Sequence, residues 1–524
     1  MLLLEANDIK LYVKDRLLLD IEKLQVYSGA RIGLVGKNGS GKTSLLEVLT
    51  GKRACDSGTI QINRTCELLP QLKRTNTTKS GGEVTQEYIM DALTRNPEIL
   101  LADEPTTHLD IEHIEWLERK LRNWQGALLL VSHDRAFLDA LCTTIWELHE
   151  GHIKEYKGNY TDYIQQKELE IKSHEVAYEK YEKKKKQLEE ALILKEKKAA
   201  RATKSPKKVS PSEARITGAK PYFAKKQKKL RTAAKAMETR IEKLEKVEKI
   251  KDSPAIRMDL PNEETFKGRI VLRVENVAGR FGERILWSPA TFQIRGGDKL
   301  AIMGANGSGK TTLLKKIINH TRGITISPAM KMGYFSQTFD QLDTNRSILE
   351  NVQSSSKQTE TFIRIVLARL HFFREDVYKE VGVLSGGERV KVALAKLLVS
   401  DINTLILDEP TNFLDIEAVE ELESLLEDYE GTILFVSHDR RFIGKVATRI
   451  LAIENKEILI FEGTYSEYKK YEPQPERDTA EDDLLLLETK ITEVLSRLSI
   501  EPTDELESKF QELLAKKRKL ENRS

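Results

Sequence analysis

The octet Gly36-Lys37-Asn38-Gly39-Ser40-Gly41-Lys42-Thr43 returns later in the chain as Gly304-Ala305-Asn306-Gly307-Ser308-Gly309-Lys310-Thr311. Three further segments repeat in the same order. Leu101-Ala102-Asp103-Glu104-Pro105-Thr106 matches Ile406-Leu407-Asp408-Glu409-Pro410-Thr411, and Val131-Ser132-His133-Asp134-Arg135 matches Val436-Ser437-His438-Asp439-Arg440. Gly158-Asn159-Tyr160-Thr161-Asp162-Tyr163 is echoed by Gly463-Thr464-Tyr465-Ser466-Glu467-Tyr468. A duplication of several motifs in one order constrains the chain to two homologous modules. The expected modules are residues 1–163 and 268–470, separated by 164–267 and followed by 471–524.

The two copies differ in one interval. In the second, 47 residues separate Gln337 from Ser385; in the first, 8 separate Gln71 from Ser80. About 39 residues, including the apolar-periodic stretch Phe362 to Phe373, are therefore missing from the first module, which is expected to lack a helical subdomain.

Between the modules, Ile171, Tyr178, Tyr181, Leu188, Leu192, Ala199 and Ala202 recur at alternating intervals near three to four and seven, the seam of an antiparallel coiled coil. Leu230, Ala234, Met237, Ile241 and Leu244 supply the returning seam. Pro206, Pro211, Gly218 and Pro221 predict an irregular tip at about 204–223. If residues 163–204 are helical, a rise of ~1.5 Å per residue makes an arm of about 60 Å. After residue 470, amphipathic stretches at 484–498 and 506–520 predict a short helical hairpin.

Charge is unevenly spread. Residues 171–250 hold 25 Lys and Arg against 11 Glu, a charge of +14 in a chain whose net charge is only +3. Residues 201–230 alone hold ten basic residues and one acidic. Such a segment attracts polyanions, and a solvated Lys/Glu helix is the plainer alternative. The longest apolar runs, such as Ala127 to Val131, fall far short of the ~18 residues of a membrane span. Glu5, Asp8 and Lys10 interrupt the opening leucines before a signal-peptide core can form, so a cytoplasmic chain is expected. Cys55, Cys66 and Cys142 show no ligand spacing, which argues against a zinc site or disulfide framework.

Each octet follows an apolar strand and precedes a helical pattern, the context in which glycines let backbone N–H groups wrap phosphates at a helix N-terminus. Gly36, Asn38, Gly39, Ser40, Gly41, Lys42, Thr43 and Ser44 form one such loop. Gly304, Asn306, Gly307, Ser308, Gly309, Lys310, Thr311 and Thr312 form the other. Lys42 and Lys310 would neutralise β- and γ-phosphates, while Thr43 and Thr311 would ligate Mg²⁺. Asp103 and Asp408 end buried strands and are expected to reach Mg²⁺. Glu104 and Glu409, next in sequence, are expected to polarise the attacking water. His133 and His438 close further strands and suit a γ-phosphate contact. Gln71 and Gln337 are candidate Mg²⁺ or water ligands. The runs beginning Ser80-Gly81-Gly82 and Ser385-Gly386-Gly387 precede helices and offer a second anion cradle per module.

This combination resembles the ATP-binding cassette ATPases: Walker A loop, Q-loop, Ser-Gly-Gly signature, Walker B with its Glu, the Leu-Asp of a D-loop at 109–110 and 414–415, and a switch His. The fold class implied is α/β, two tandem P-loop cassettes joined by a long antiparallel coiled-coil linker. The resemblance implies head-to-tail closure over two ATP molecules, with Lys42, Asp103, Glu104 and His133 facing Ser385, Gly386 and Gly387. Lys310, Asp408, Glu409 and His438 would face Ser80, Gly81 and Gly82. Adenine stacking would fall to Tyr12 and Phe281. Two positions depart from the pattern: Phe413 replaces a usual His, and Lys79 a usual Leu.

Tandem cassettes with a charged helical linker look like the ABC-F subfamily. The shortened first cassette, the run at 79–85 and the segment Lys220-Pro221-Tyr222-Phe223-Ala224 look like its Vga-type antibiotic-resistance factors. That resemblance implies binding at the bacterial ribosome's exit site, contact with 23S rRNA and P-site tRNA, and displacement of lincosamides, streptogramin A compounds and pleuromutilins. Lys207, Lys208, Arg215, Lys220, Tyr222 and Phe223 are the expected ribosome or tRNA contacts; Tyr222 and Phe223 would otherwise pack on the arm itself. A housekeeping translation factor of the subfamily, or the ATPase subunit of an efflux pump, remain the competing readings.

Overall fold

A computed structural model describes residues 1–70, 81–107, 109–201, 219–244, 267–335, 342–412 and 414–471, with a few positions between 491 and 517. The chain divides into two compact units, Met1–Glu462 and Gly463–Ser524. In chain order, the first module runs β1 (Leu2–Val13), β2 (Arg16–Tyr27), β3 (Arg31–Val35), α1 (Lys42–Leu49), β4 (Ser57–Ile62), β5 (Cys66–Leu69) and α2 (Gly81–Thr94). It continues with β6 (Ile99–Asp103), α3 (Ile111–Asn123), β7 (Ala127–Val131), α4 (Arg135–Leu141), β8 (Thr144–His149) and β9 (His152–Lys157).

Strand β7 is apolar and buried throughout, β6 is buried throughout and apolar up to its terminal Asp103, and all of β3 but Arg31 is buried, as strands covered on both faces must be. They form the centre of a six-stranded sheet ordered β5-β6-β7-β3-β8-β9, parallel except for β9. Strand β1 instead turns Leu4, Ala6, Ile9 and Leu11 inward and pairs antiparallel with β2 and β4 in a second, three-stranded sheet. The inner faces of the two sheets share one core with α1, in which Leu45, Leu46, Val48 and Leu49 are buried.

The arm follows. Helix α5 (Tyr160–Arg201) has 42 residues, which at ~1.5 Å per residue is about 63 Å. It packs antiparallel on α6 (Ala219–Glu242) along the expected seam. Tyr178, Tyr181, Leu188, Leu192 and Ala199 are shielded on one helix, and Leu230, Ala234 and Met237 on the other. Ile171 departs from the seam and is exposed. The expected tip is also shorter at its far end. Pro221 lies in the first turn of α6, where its missing N–H costs no hydrogen bond, so the helix begins at Ala219. Residues 202–218, with Lys207, Lys208 and Arg215, lie outside the described residues.

The second module repeats the first: β10 (Ile270–Phe281), β11 (Arg284–Arg295), β12 (Lys299–Gly304), α7 (Lys310–Ile318), β13 (Ile324–Ile326) and β14 (Met332–Phe335). Then come α8 (Ile348–Gln353), α9 (Glu360–Arg369), α10 (Gly386–Leu398), β15 (Thr404–Asp408), α11 (Ile416–Asp428), β16 (Thr432–Val436), α12 (Arg440–Val446), β17 (Arg449–Glu454) and β18 (Glu457–Glu462). The sheets are ordered β14-β15-β16-β12-β17-β18 and β11-β10-β13, matching the first module strand for strand. Helices α8 and α9 are the extra subdomain, packed on each other and on α10 through Ile348, Val352, Ile363, Val366 and Leu367. A capping box between Ser347 and Glu350 opens α8. In the first module β5 ends at Leu69 and α2 begins at Gly81, leaving no room for such a pair.

The second unit contributes α13 (Tyr465–Lys470), opened by a Thr464–Glu467 capping box. The expected C-terminal hairpin falls largely outside the described residues. No helix among the described residues is long and apolar enough to cross a membrane.

Candidate nucleotide sites

In a mostly parallel sheet, ligands gather at the carboxyl ends of the strands. Here β3, β6 and β7 carry the octet, Asp103-Glu104 and Ser132-His133 to one rim, and β12, β15 and β16 do the same for the second set. Gly41 and Gly309 cap the following helices at φ 106° and 104°, a left-handed backbone that favours glycine. A Cβ on Gly309 would also meet the Trp287 ring at 2.5 Å, so the loop can lie flat against β11 only without one.

Lys42 Nζ donates to the carbonyls of Gly36 at 2.6 Å and Lys37 at 3.1 Å. Lys310 does the same to Gly304 at 2.8 Å and Ala305 at 3.1 Å. Burial pushes both lysines below their usual range, opposed by Glu104 and Glu409. The hydroxyls of Ser40 and Ser308 are buried with no protein partner. Buried lysines and orphaned hydroxyls within glycine loops are what a bound phosphate chain would satisfy, so the donor set fits a nucleotide.

Beside them, Thr311 Oγ1 donates to Asp408 Oδ1 at 3.3 Å, and the Thr43 hydroxyl holds Asp103 likewise. One hydroxyl and one carboxylate per site is the small protein share that Mg²⁺ takes when phosphates and water supply the rest. No group of three His, Cys, Asp or Glu among the described residues forms a metal site by itself. Burial pushes both aspartates up from their ordinary values.

Glu104 and Glu409 are the strained members. Both hold a left-handed backbone, φ 49° and 52°, which costs a non-glycine residue on the order of 1–3 kcal/mol. Each is tied to the neighbouring strand by its N–H, to Val131 O at 2.9 Å and Val436 O at 3.0 Å. Burial raises Glu104 to about 8 and Glu409 to about 7, near the range in which a carboxylate works best as a general base. His133 Nε2 lies 3.4 Å from Glu104 Oε1, and His438 Nε2 lies 3.3 Å from Glu409 Oε1. Burial, helped by Lys42 or Lys310, lowers both imidazoles to about 3, so they are neutral.

One continuous cavity of about 1940 Å³ is lined by both loops, both Asp-Glu pairs and both histidines. Ser385 and Gly387 line it too, beside Glu388 and Lys391 at the start of α10. Phe281 reaches the cavity, but Tyr12 is not among its lining residues. Strand pairing explains the difference. Val13 pairs with Arg16 as Phe281 pairs with Arg284, so Val13 is the counterpart of Phe281, and Arg16, Leu17 and Leu18 line the cavity instead. Gly81 and Gly82 open α2, whereas Gln71, Ser80 and Gln337 lie outside the described residues. Lys220, Tyr222 and Phe223 lie among the first five residues of α6, in the arm.

The D-loop aspartates acquire a role that the repeat alone did not assign. Asn306 N donates to Asp110 Oδ2 at 2.8 Å, and Asn38 N approaches Asp415 Oδ2 at 3.4 Å, so each module grips the other's phosphate loop. Outside the loops a second reciprocal contact crosses the interface. Arg135 pairs with Glu423, and Arg440 with Glu118, equivalent residues exchanged between modules as a pseudo-twofold interface requires. Both arginines directly follow His-Asp, a position legible in the sequence, but their partners lie about 300 residues away.

Comparison with known proteins agrees with this architecture. A family profile described as ABC transporter matches residues 19–77 and 287–412, and its extension profile matches 146–258. The chain is 32% identical to a ribosome protection protein, VmlR, of Bacillus subtilis over 98% of both chains. It is 34% identical to the erythromycin resistance ATP-binding protein MsrA of Staphylococcus epidermidis over 85% of this chain and 96% of that one. The energy-dependent translational throttle protein EttA of Escherichia coli is 33% identical over 75% of this chain and 67% of its own. Among solved structures, an archaeal ribosome recycling factor, aABCE1, matches with a TM-score of 0.57 at 19% identity, covering 85% of this chain and 87% of that one, a likeness of fold. The chain belongs to the ABC-F family of ATP-binding cassette proteins.

Proposed function

We propose that this protein is an ATP-driven ribosome protection factor. It enters the exit site of the bacterial ribosome, inserts its arm tip beside P-site tRNA and the peptidyl-transferase centre, and displaces lincosamide, streptogramin A and pleuromutilin drugs. The observation that carries this is identity to a ribosome protection protein along essentially the whole of both chains, arm included. The basic tip supports it, since ten cations against one acid within residues 201–230 suit a phosphate backbone. Resemblance to a translational throttle protein supports the second reading, a housekeeping factor that binds without protecting.

ATP hydrolysis would occur at two composite sites. Lys42 and Lys310 bind the phosphates of their own loops, and the Ser-Gly-Gly helix start of the other module faces each nucleotide. Thr43 with Asp103, and Thr311 with Asp408, would hold Mg²⁺, which neutralises phosphate charge when bound. Glu104 or Glu409 accepts the proton of the attacking water as ADP leaves, and neutral His133 or His438 donates a hydrogen bond at the γ-phosphate. The products are ADP, phosphate and a proton, and their loss releases the factor from the ribosome into the cytoplasm.

Drug tolerance of bacteria expressing the wild type, the variant with Glu104→Gln and Glu409→Gln, and the variant with Tyr222→Ala and Phe223→Ala tests this reading. Protection by the wild type that is lost or weakened in the tip variant, with its ATPase intact, is expected. Ribosome binding by the wild type without any protection would favour the housekeeping factor. Lower intracellular drug without ribosome binding would favour a pump.

A further inference from the structure

The two D-loop aspartates are repeats of each other, yet they are held by different chemistry. Asp110 caps α3, its Oδ1 accepting the His113 N–H at 3.1 Å, and the same oxygen is bound by His113 Nδ1. Its other oxygen is thereby left to accept the Asn306 N–H across the interface at 2.8 Å. Asp415 caps α11 in the same way through the Ala418 N–H at 3.1 Å. Ala418 is the counterpart of His113 and offers no imidazole; Lys391 Nζ approaches Asp415 Oδ1 instead, at 3.4 Å, and the cross-interface contact to Asn38 stretches to 3.4 Å. Gln86 occupies the place of Lys391 in the first module. Burial opposes the Asp110 carboxylate, but the Asn306 and His113 donors outweigh it and keep it ionised.

We propose that His113 is a positioning residue for the second module's nucleotide site: by occupying one oxygen of Asp110 it aims the other at the phosphate loop carrying Lys310. Lys391 serves the first site through Asp415, more loosely. The two sites are then unequal by construction, although Lys42, Asp103, Glu104 and His133 each have an identical counterpart. The imidazole is separable from the cap, because α3 is capped through the backbone N–H of residue 113, which every substitution but proline retains. Its side chain is 30% exposed, so truncation leaves no buried cavity.

This inference rests on the reading that Glu104 and Glu409 each drive hydrolysis at one site. The test is ATP turnover by the full chain in two backgrounds: Glu104→Gln, where only the second site works, and Glu409→Gln, where only the first does. His113→Ala is expected to lower turnover roughly tenfold in the Glu104→Gln background, about the worth of one charge-assisted hydrogen bond, and less than about twofold in the other. His113→Asn, whose amide can still donate to Asp110, should recover most of the loss. Lys391→Met should reverse the pattern, slowing only the first site. Equal losses in both backgrounds would make His113 merely structural and overturn the proposal, as would no loss in the Glu104→Gln background. Wild-type turnover by the double glutamine variant would instead overturn the assignment of the carboxylates and this inference with it.

Discussion

Replacing Glu423 by Leu should separate the cassettes without unfolding either. Arg135 and Glu423 have side chains only 5% and 2% exposed, so removing the carboxylate strands a guanidinium that has already lost its water. Breaking one partner of a buried pair costs about 3–5 kcal/mol. Asp439 at 3.5 Å and Glu420 at 3.7 Å remain near Arg135, which argues for the lower end, about 3 kcal/mol. At ~1.4 kcal/mol per tenfold, closure should weaken by roughly two decades. The mirror pair is wetter, Arg440 and Glu118 being 14% and 12% exposed, so Glu118→Leu should cost about 1–2 kcal/mol, or roughly tenfold. Energy transfer between dyes on the two cassettes of the Glu104→Gln, Glu409→Gln protein, titrated with ATP, reads this equilibrium. Arg135→Met combined with Glu423→Leu should recover part of the loss, because the guanidinium is no longer buried without its main partner, although Asp439 then keeps only the N–H groups of Arg441 and Phe442. A shift below threefold for Glu423→Leu, or equal shifts for the two pairs, would refute the reasoning.

Converting both Glu104 and Glu409 to Gln should slow hydrolysis by about 10²–10⁴-fold, the usual worth of a general base, while ATP is retained on rapid filtration. The same carboxylates set a pH dependence of stability in the nucleotide-free protein. Burial raises Glu104 from 4.5 to about 8, so its contribution is fully present below about 4.5 and is lost as pH rises through about 8. Glu104→Gln should therefore raise Tm relative to wild type at pH 9 and change it less at pH 5, measured by calorimetry without nucleotide. Trp287 is fully buried, with its Nε1 donating to Val277 O at 3.2 Å, and Trp287→Ala should cost about 3–5 kcal/mol in denaturant unfolding.

How much of this was legible in the sequence follows from which interactions are local. The octets, the strand-end carboxylates and the coiled-coil seam are written in neighbouring residues, and their elements form where periodicity and capping put them. Pro221 belongs to the expected tip because a proline breaks a helix interior, yet it suits a first turn, and only the start at Ala219 separates the two cases. Tyr12 stands one residue of strand register from Val13, the counterpart of Phe281, and one residue turns a side chain to the opposite face. The Arg135–Glu423 and Asp110–Asn306 contacts could not be read from either module alone. Each joins residues made neighbours only by the pseudo-twofold packing of the two cassettes. The left-handed backbone at Glu104 and Glu409 was likewise invisible, since glutamate carries no sequence signature of positive φ.

The most direct measurement is sedimentation of the Glu104→Gln, Glu409→Gln protein with bacterial ribosomes, with and without ATP, at low and high salt. Retention on ribosomes that requires ATP and weakens as salt rises is expected of a factor locked closed with its basic arm on RNA. Failure to sediment with ribosomes in ATP, while the wild type hydrolyses ATP, would contradict ribosome protection as the function of this chain.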